Sequence, residues 1–545
     1  MKSDIEINKE CDKKNIIDIA KKIGLDENDL ELYGKYKAKI IKNINYKNNN
    51  SKLVLVSSIN PTKEGEGKTT VAIGLADSLN NIGKKTIVEL REPSMGPTLG
   101  LKGGATGGGY AQVYPMDEIN FHFTGDIHAI TSANNAISCF IDNHIYYGNE
   151  LNIDIENIYW RRCLDLSDRP LRDVMINYGR NGQRLEHFDI SVASEIMAVI
   201  CLSKDYTDLE RRISNIVVAK DINGKYIKLE DLGITGCIAA ILKDTIKPNL
   251  VQTLEGTPAI IHGGPFANIA HGCSSVIASR YGLMLSDYVI TEAGFGADLG
   301  AEKFLDIKVP VLSKDPNLVV LVVTAKALNA HSEDGNIYNG LDNLKKHIEN
   351  IKEYNLNVIV TINEYEDDNK EDIKKIIEFC SDNNVKAVSN SVWKNGSAGG
   401  LNLAKLVVEE CEEKSGVKKV VPFKTIYEKE DEIEEKIRKV VTKIYGGNGV
   451  IYSKKAEEKI KELEKSDYRK YPICIAKTPM SLSDNPKLLG RPTDFKINVS
   501  DISLKAGAEF IVVYTSKILT MPGLPEKPNM LNITLDGNGE IKGLF

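Results

Sequence analysis

Lys68, Thr69 and Thr70 close the run Asn60-Pro-Thr-Lys-Glu-Gly-Glu-Gly-Lys-Thr-Thr, which follows the apolar stretch 52–59. A lysine ammonium and a threonine hydroxyl at the mouth of a helix can meet phosphate oxygens and Mg²⁺, while Gly65 and Gly67, with Glu66 between them, let backbone N–H groups turn inward on an anion. The first glycine of the G-x-x-x-x-G-K-[ST] pattern is here Thr62, so Gly65 and Gly67 must carry the flexibility. The segment is expected to bind a nucleoside triphosphate, with Thr69 toward Mg²⁺.

Arg91 ends a second apolar run, 85–90, in Leu90-Arg91-Glu92-Pro93-Ser94. Its guanidinium fork matches phosphate or carboxylate oxygens. In a parallel sheet the end of strand two is expected beside the loop after strand one, so Arg91 should reach the same phosphates. The stretch from Gly100 to Tyr110, with Lys102 and Thr106, is too rich in glycine for a packed element and is expected to let backbone pass close to a ligand. His122, Asp126 and His128 crowd a short span, but the histidines lack i, i+4 spacing and no cysteine accompanies them, so no metal site is expected. Asp126 reads instead as a carboxylate near the phosphate centre or an acceptor for an amine. Loops bearing His262, Asn268 and His271, and Glu292 and Asp298, have the same polar and glycine-rich character after apolar runs.

These residues need strands to carry them. Apolar runs at 52–59, 85–90, 287–291, 318–324, 357–361 and 386–389 alternate with helical patterns at 69–80, 341–352 and 370–383. The alternation predicts an α/β fold, P-loop-containing, with a mostly parallel sheet covered by helices and its ligands at the carboxyl ends of the strands. Helical patterns at 12–23 and 28–41 form a lead-in. The stretch 418–465 is charged and helical, punctuated by Gly446, Gly447 and Gly449, and 495–499 and 509–513 alternate as short strands. The expected division is a large nucleotide-binding domain over 1–350 and two smaller α/β domains over 351–440 and 441–545.

A chain of 545 residues exceeds one compact core. With 42% apolar and 27% charged residues and a net charge of −6, it has no basic surplus for a polyanion, so nucleic acid is not an expected partner. No apolar run approaches the ~20 residues needed to span a bilayer and no leader is visible, so a cytoplasmic location is expected. The nine cysteines are scattered singly, which suits a reducing compartment.

Longer strings carry a resemblance. Glu31-Leu-Tyr-Gly-Lys-Tyr-Lys-Ala-Lys39, Glu64-Gly-Glu-Gly-Lys-Thr-Thr70, Leu90-Arg-Glu-Pro-Ser94, the glycine tract, His122-Phe-Thr-Gly-Asp-Ile-His128, His262-Gly-Gly-Pro-Phe-Ala-Asn-Ile-Ala-His-Gly272 and Met521-Pro-Gly-Leu-Pro525 make the chain resemble the formate tetrahydrofolate ligases almost end to end. The resemblance implies that formate attacks the γ-phosphate of MgATP to give formyl phosphate, and that the tetrahydrofolate amine then displaces phosphate to give 10-formyltetrahydrofolate. It implies catalytic roles for Lys68, Arg91 and Asp126, with Lys68 and Arg91 on formyl phosphate. By the same resemblance Gly65, Glu66, Gly67, Lys68, Thr69 and Thr70 bind ATP, Glu92 falls at a monovalent cation site for K⁺ or NH₄⁺, and Tyr365 and Trp393 sandwich the pterin, so that 351–440 contributes to the folate site. A homotetramer is also implied.

The chain departs from the family pattern in places. The family's Val-Ala-Thr-Val-Arg-Ala-Leu-Lys-x-His-Gly-Gly appears as Val322-Val-Thr-Ala-Lys326-Ala-Leu-Asn329-Ala-His331-Ser332-Glu333. Lys308-Val309-Pro310 stands for Lys-Cys-Arg, and Lys477-Thr-Pro479-Met480-Ser for Lys-Thr-Gln-Tyr-Ser. Arginine and lysine differ at a bidentate site, and Gly to Glu changes backbone freedom and charge. Two other readings therefore stand beside the first: a P-loop relative with an altered acyl substrate or acceptor, and a nucleotide-binding protein that has lost turnover.

Overall fold

The computed structural model describes residues 2–47, 50–62, 65–101, 105–178, 182–332, 335–412, 421–516 and 518–544. Glu64, Lys102 and Glu333, named above, lie outside the described residues. Strands β1 (Leu30–Leu32), β2 (Ala38–Ile40), β3 (Lys52–Ser58), β4 (Thr86–Leu90), β5 (Gly107–Gly108), β6 (Ala111–Tyr114), β7 (Asn249–Thr253), β8 (Pro258–Ile261), β9 (Tyr288–Glu292), β10 (Leu318–Val323), β11 (Val358–Asn363) and β12 (Ala387–Asn390) form one 12-stranded sheet. Its spatial order is β1-β2-β7-β8-β4-β9-β3-β10-β11-β12, with β6 also paired to β7 and β5 to β6. From β8 to β12 every neighbouring pair is parallel, while the β1, β2, β7 side is antiparallel. The protein is thus mixed α/β with a large, mostly parallel central sheet.

The apolar runs are continuous because both faces of these strands are covered. Along β3, Leu53 and Leu55 enter one core and Val54 and Val56 the other. Helix α1 (Lys68–Asn81) lies on the Val54 face through Val71, Ala72, Leu75, Ala76 and Leu79. The opposite core takes Val276 and Ile277, and continues into Ile473–Ala476 and Phe510–Tyr514 of a small C-terminal sheet. The segment 351–440 contributes β11 and β12 to the central sheet. Among the described residues no helix is long and apolar enough to cross a membrane.

Several sequence expectations are corrected. The helix expected over 28–41 does not form: after a single 3-10 turn at Glu27–Asp29, β1 and β2 form an antiparallel hairpin in which Leu30 faces Ile40, closed by the Tyr33 N–H donating to the Lys37 carbonyl at 2.9 Å. Leu30, Ala38 and Ile40 are buried by the pairing with β7. The second correction concerns strand order. β4 does not adjoin β3, because β9, from more than two hundred residues further on, pairs in parallel with both. The helix expected over 12–23 is shorter, Ile16–Lys22, and the 418–465 stretch is interrupted by a strand at Gly449–Tyr452.

Candidate active site

The carboxyl edge of the sheet gathers most of the candidate side chains: Lys68 and Thr69 beyond β3, Arg91 and Glu92 beyond β4, Glu292 at the end of β9, Thr324 beyond β10, Tyr365 beyond β11 and Trp393 beyond β12. The loop after β3 is held from below. Asn60 is fully buried and its N–H donates to His347 Nε2 at 3.1 Å. Its side-chain amide donates to Asp298 Oδ1 at 3.2 Å and to the Pro479 carbonyl at 3.1 Å, and its carbonyl meets His331 Nε2 at 3.0 Å. Asp298 is paired with Lys477 at 2.7 Å, both without exposure, and this ammonium holds the Asp298 carboxyl below its usual range despite burial.

Glu66 braces the same loop. Its side chain is buried, one oxygen accepting from the Thr62 N–H at 2.7 Å and the other from the Thr324 hydroxyl. Gly67 opens α1 in the left-handed region, φ 72°, and a Cβ there would come within 2.5 Å of the Asn363 amide, which itself donates to the Glu66 carbonyl at 3.3 Å. Only glycine fits that position without displacing Asn363. Lys68 Nζ lies 3.1 Å from Ser58 Oγ, at the end of β3.

Glu292, buried to 1% exposure, links the strand ends on either side of it. One carboxylate oxygen accepts the Thr69 hydroxyl at 2.8 Å; the other meets Arg91 Nη2 at 3.1 Å and Nε at 3.3 Å. Arg91 and Thr69 are thus joined through Glu292, on the strand that separates β4 from β3. Asp126, at the first turn of α2 (Asp126–Tyr146), receives the buried Lys39 ammonium at 2.8 and 2.9 Å and the Asn249 amide at 2.8 Å. Burial, then the neighbouring Asp126 charge, push the Glu92 carboxyl well above the usual carboxylate range, against the pull of Lys39. Glu92 Oε2 is buried with no hydrogen-bond partner among the described residues.

Tyr365 and Trp393 mark the far end of this edge. Their loops are joined by Lys394 and Glu366, 2.5 Å apart. Lys326 Nζ stands 4.5 Å from the centroid of the Tyr365 ring and 3.3 Å from Asp367. Trp393 packs on the glycine tract: Tyr110 N–H donates to its carbonyl at 2.8 Å. His262 and His271 are fully buried; His262 bridges Ser275 and the Thr245 carbonyl, and burial lowers their ring pKa values to about 4 and about 3. His262 directly follows β8, level with Arg91 beyond β4.

The other departures divide. Lys308 is buried 4.0 Å from Glu89 with its ammonium over Phe304, Val309 is buried beside it and Pro310 is exposed. Asn329 is half-buried, Ser332 buried and Met480 half-buried, whereas Pro479 touches the loop through its carbonyl. Reasoning from the sequence missed Lys39, Asn60, Thr324 and Asn363 and did not separate Glu292 from its loop. Lys39 stood in a quoted string, and only its assignment to a helix concealed it.

A large, mostly parallel sheet with helices on both faces, its carboxyl edge carrying a glycine loop, a helix N-terminus, a lysine and an arginine, makes this a mixed α/β protein. The formate–tetrahydrofolate ligase family model matches residues 2–545. The chain belongs to that family, whose members are ATP-dependent ligases using formate and tetrahydrofolate as substrates.

Proposed function

We propose that the chain makes 10-formyltetrahydrofolate in two steps through formyl phosphate. Formate oxygen attacks the γ-phosphorus of MgATP and ADP leaves; the tetrahydrofolate amine then attacks the formyl carbon, phosphate leaves and the amine proton is lost. The observation that carries this reading is the linkage of Thr69 and Arg91 through Glu292 on the edge that also bears Lys68. Phosphoryl transfer asks for positioning and charge stabilisation. Gly65 to Thr70 form the ATP loop, Lys68 and Arg91 hold the transferred group, and Thr69 faces Mg²⁺. Glu66 contributes by bracing the loop rather than by touching phosphate. Asp126 and Lys39 set a fixed ion pair behind Glu92.

A monovalent cation fits Glu92, whose unpartnered buried oxygen lies near the Asp126 charge. Bound there, K⁺ or NH₄⁺ would supply a positive charge that favours the ionised form of Glu92. Tyr365 and Trp393 form the pterin platform. In this reading 1–350 is the nucleotide domain, 351–440 adds the folate side, 441–545 is a C-terminal unit, and the protein is a cytoplasmic homotetramer. The test is the absorbance of the acid-converted methenyl product from formate, MgATP, tetrahydrofolate and K⁺. Product from all four, lost on omitting formate or ATP, is expected; no product overturns the reading.

A further inference from the structure

We propose that Glu292 is a positioning residue for two substrate contacts at once: it aims the Thr69 hydroxyl oxygen at the Mg²⁺ of the nucleotide and fixes Arg91 for the acyl phosphate. The inference deepens the nucleotide reading of the loop and rests on it. Each carboxylate oxygen is committed, Oε2 to the Thr69 hydroxyl at 2.8 Å and Oε1 to Arg91 at 3.1 and 3.3 Å. A hydroxyl has one proton and two lone pairs. When the proton is given to Glu292, the lone pairs of Thr69 point away from that carboxylate and are open to a hard cation, which takes oxygen ligands.

The topology makes this arrangement specific. β9 pairs with β3 on one side and β4 on the other, with Glu292 in register with Val56 and Thr291 with Glu89. A carboxylate at the end of that middle strand spans the two flanking loops. If Glu292 only neutralised Arg91, an acceptor for Thr69 would be superfluous; the second oxygen ties the metal side to the arginine side. Residues that orient a ligand group typically account for 10–100-fold in metal affinity when removed.

The test is calorimetric binding of a non-hydrolysable ATP analogue with Mg²⁺ and with EDTA, for wild type, Glu292→Gln, Thr69→Val and the double variant. The amide of Glu292→Gln keeps the shape but turns one acceptor into a donor. The expected result is that Mg²⁺ tightens binding to wild type, that Glu292→Gln keeps its metal-free affinity within about twofold and loses about tenfold of the tightening, and that the double variant loses no more than the larger single one. Full Mg²⁺ tightening in Glu292→Gln, or effects of the two substitutions that multiply, would overturn the proposal. Should Glu292→Gln lose its folded circular dichroism spectrum, Glu292→Asp, which withdraws the carboxylate from Thr69 but keeps its charge, carries the same expectation and the same refutation. No binding of the analogue by wild type under either condition overturns the nucleotide reading itself, and the role of Glu292 falls with it.

Discussion

Gly109→Ala separates the folate end of the edge from the nucleotide end. Gly109 has φ 57°, and a Cβ on it would stand 2.0 Å from the Trp393 carbonyl oxygen and 2.9 Å from the ring at Cγ. The tract cannot simply back away, because the Gly109 N–H is held by Asp4 Oδ1 at 2.9 Å and the Tyr110 N–H by the same Trp393 carbonyl at 2.8 Å. Ordinary contact begins at 3.4 Å, so alanine forces tract and tryptophan apart by roughly 1 Å, a displacement that can cost about 10²-fold when it moves a binding group. That factor corresponds to about 2.7 kcal/mol, and the left-handed alanine adds about 1–2 kcal/mol to the cost of folding. Initial rates with varied tetrahydrofolate, at saturating formate and MgATP, should show kcat/KM for tetrahydrofolate reduced about 30–100-fold. Nucleotide affinity, measured in parallel, should be unchanged, since the hydrogen bonds described for Lys68 and Thr69 run to Ser58 and Glu292, on β3 and β9. A variant that binds nucleotide normally and keeps kcat/KM for tetrahydrofolate within about twofold would refute the placement of Trp393 in the folate site.

Lys39→Met leaves Asp126 buried without its ammonium, and the expected loss is about 3–5 kcal/mol in denaturant unfolding; a loss under about 1 kcal/mol would show that the pair is solvated. Adding Asp126→Asn to that variant should restore part of the stability. Asp77, on α1, is raised from its ordinary 3.8 to about 7 by burial, with Thr253 donating to it at 2.6 Å. At this group the folded state therefore binds more protons than the unfolded chain, so its contribution to stability is fully present below pH about 4 and is lost, by as much as about 4 kcal/mol, as pH rises through about 7. Asp77→Asn keeps the acceptor for Thr253 and should flatten that slope; urea midpoints at pH 5 and 8 that differ as much as in wild type would count against it. Lys326→Ala uncovers the Tyr365 ring and removes about 0.5–1 kcal/mol of cation–π attraction. KM for tetrahydrofolate should fall about two- to fivefold, and a rise would mean that Lys326 binds the substrate.

The central strands are legible because burial on both faces leaves no polar alternation to obscure them: 52–59, 318–324 and 357–361 appear within one or two residues of β3, β10 and β11. The loop at Gly65 to Thr70 is equally plain, since a lysine and a threonine at a helix start leave a local pattern. What a local pattern cannot hold is which strand lies between two others. β9 is inserted between β3 and β4 by packing across more than two hundred residues, so Glu292, which that insertion brings to Arg91 and Thr69, has no signature near either of them. The hairpin at 30–40 failed for a related reason. Strands of three residues are too short to display period two, and Glu31, Lys35 and Lys39 fall at helical spacing. In a solvated helix Lys39 would pair with such a neighbour; in β2, pressed against β7, it has no water and must find Asp126. The mistaken helix and the overlooked lysine are one error, because the pairing that makes β2 a strand is also what buries Lys39 and gives Asp126 its partner.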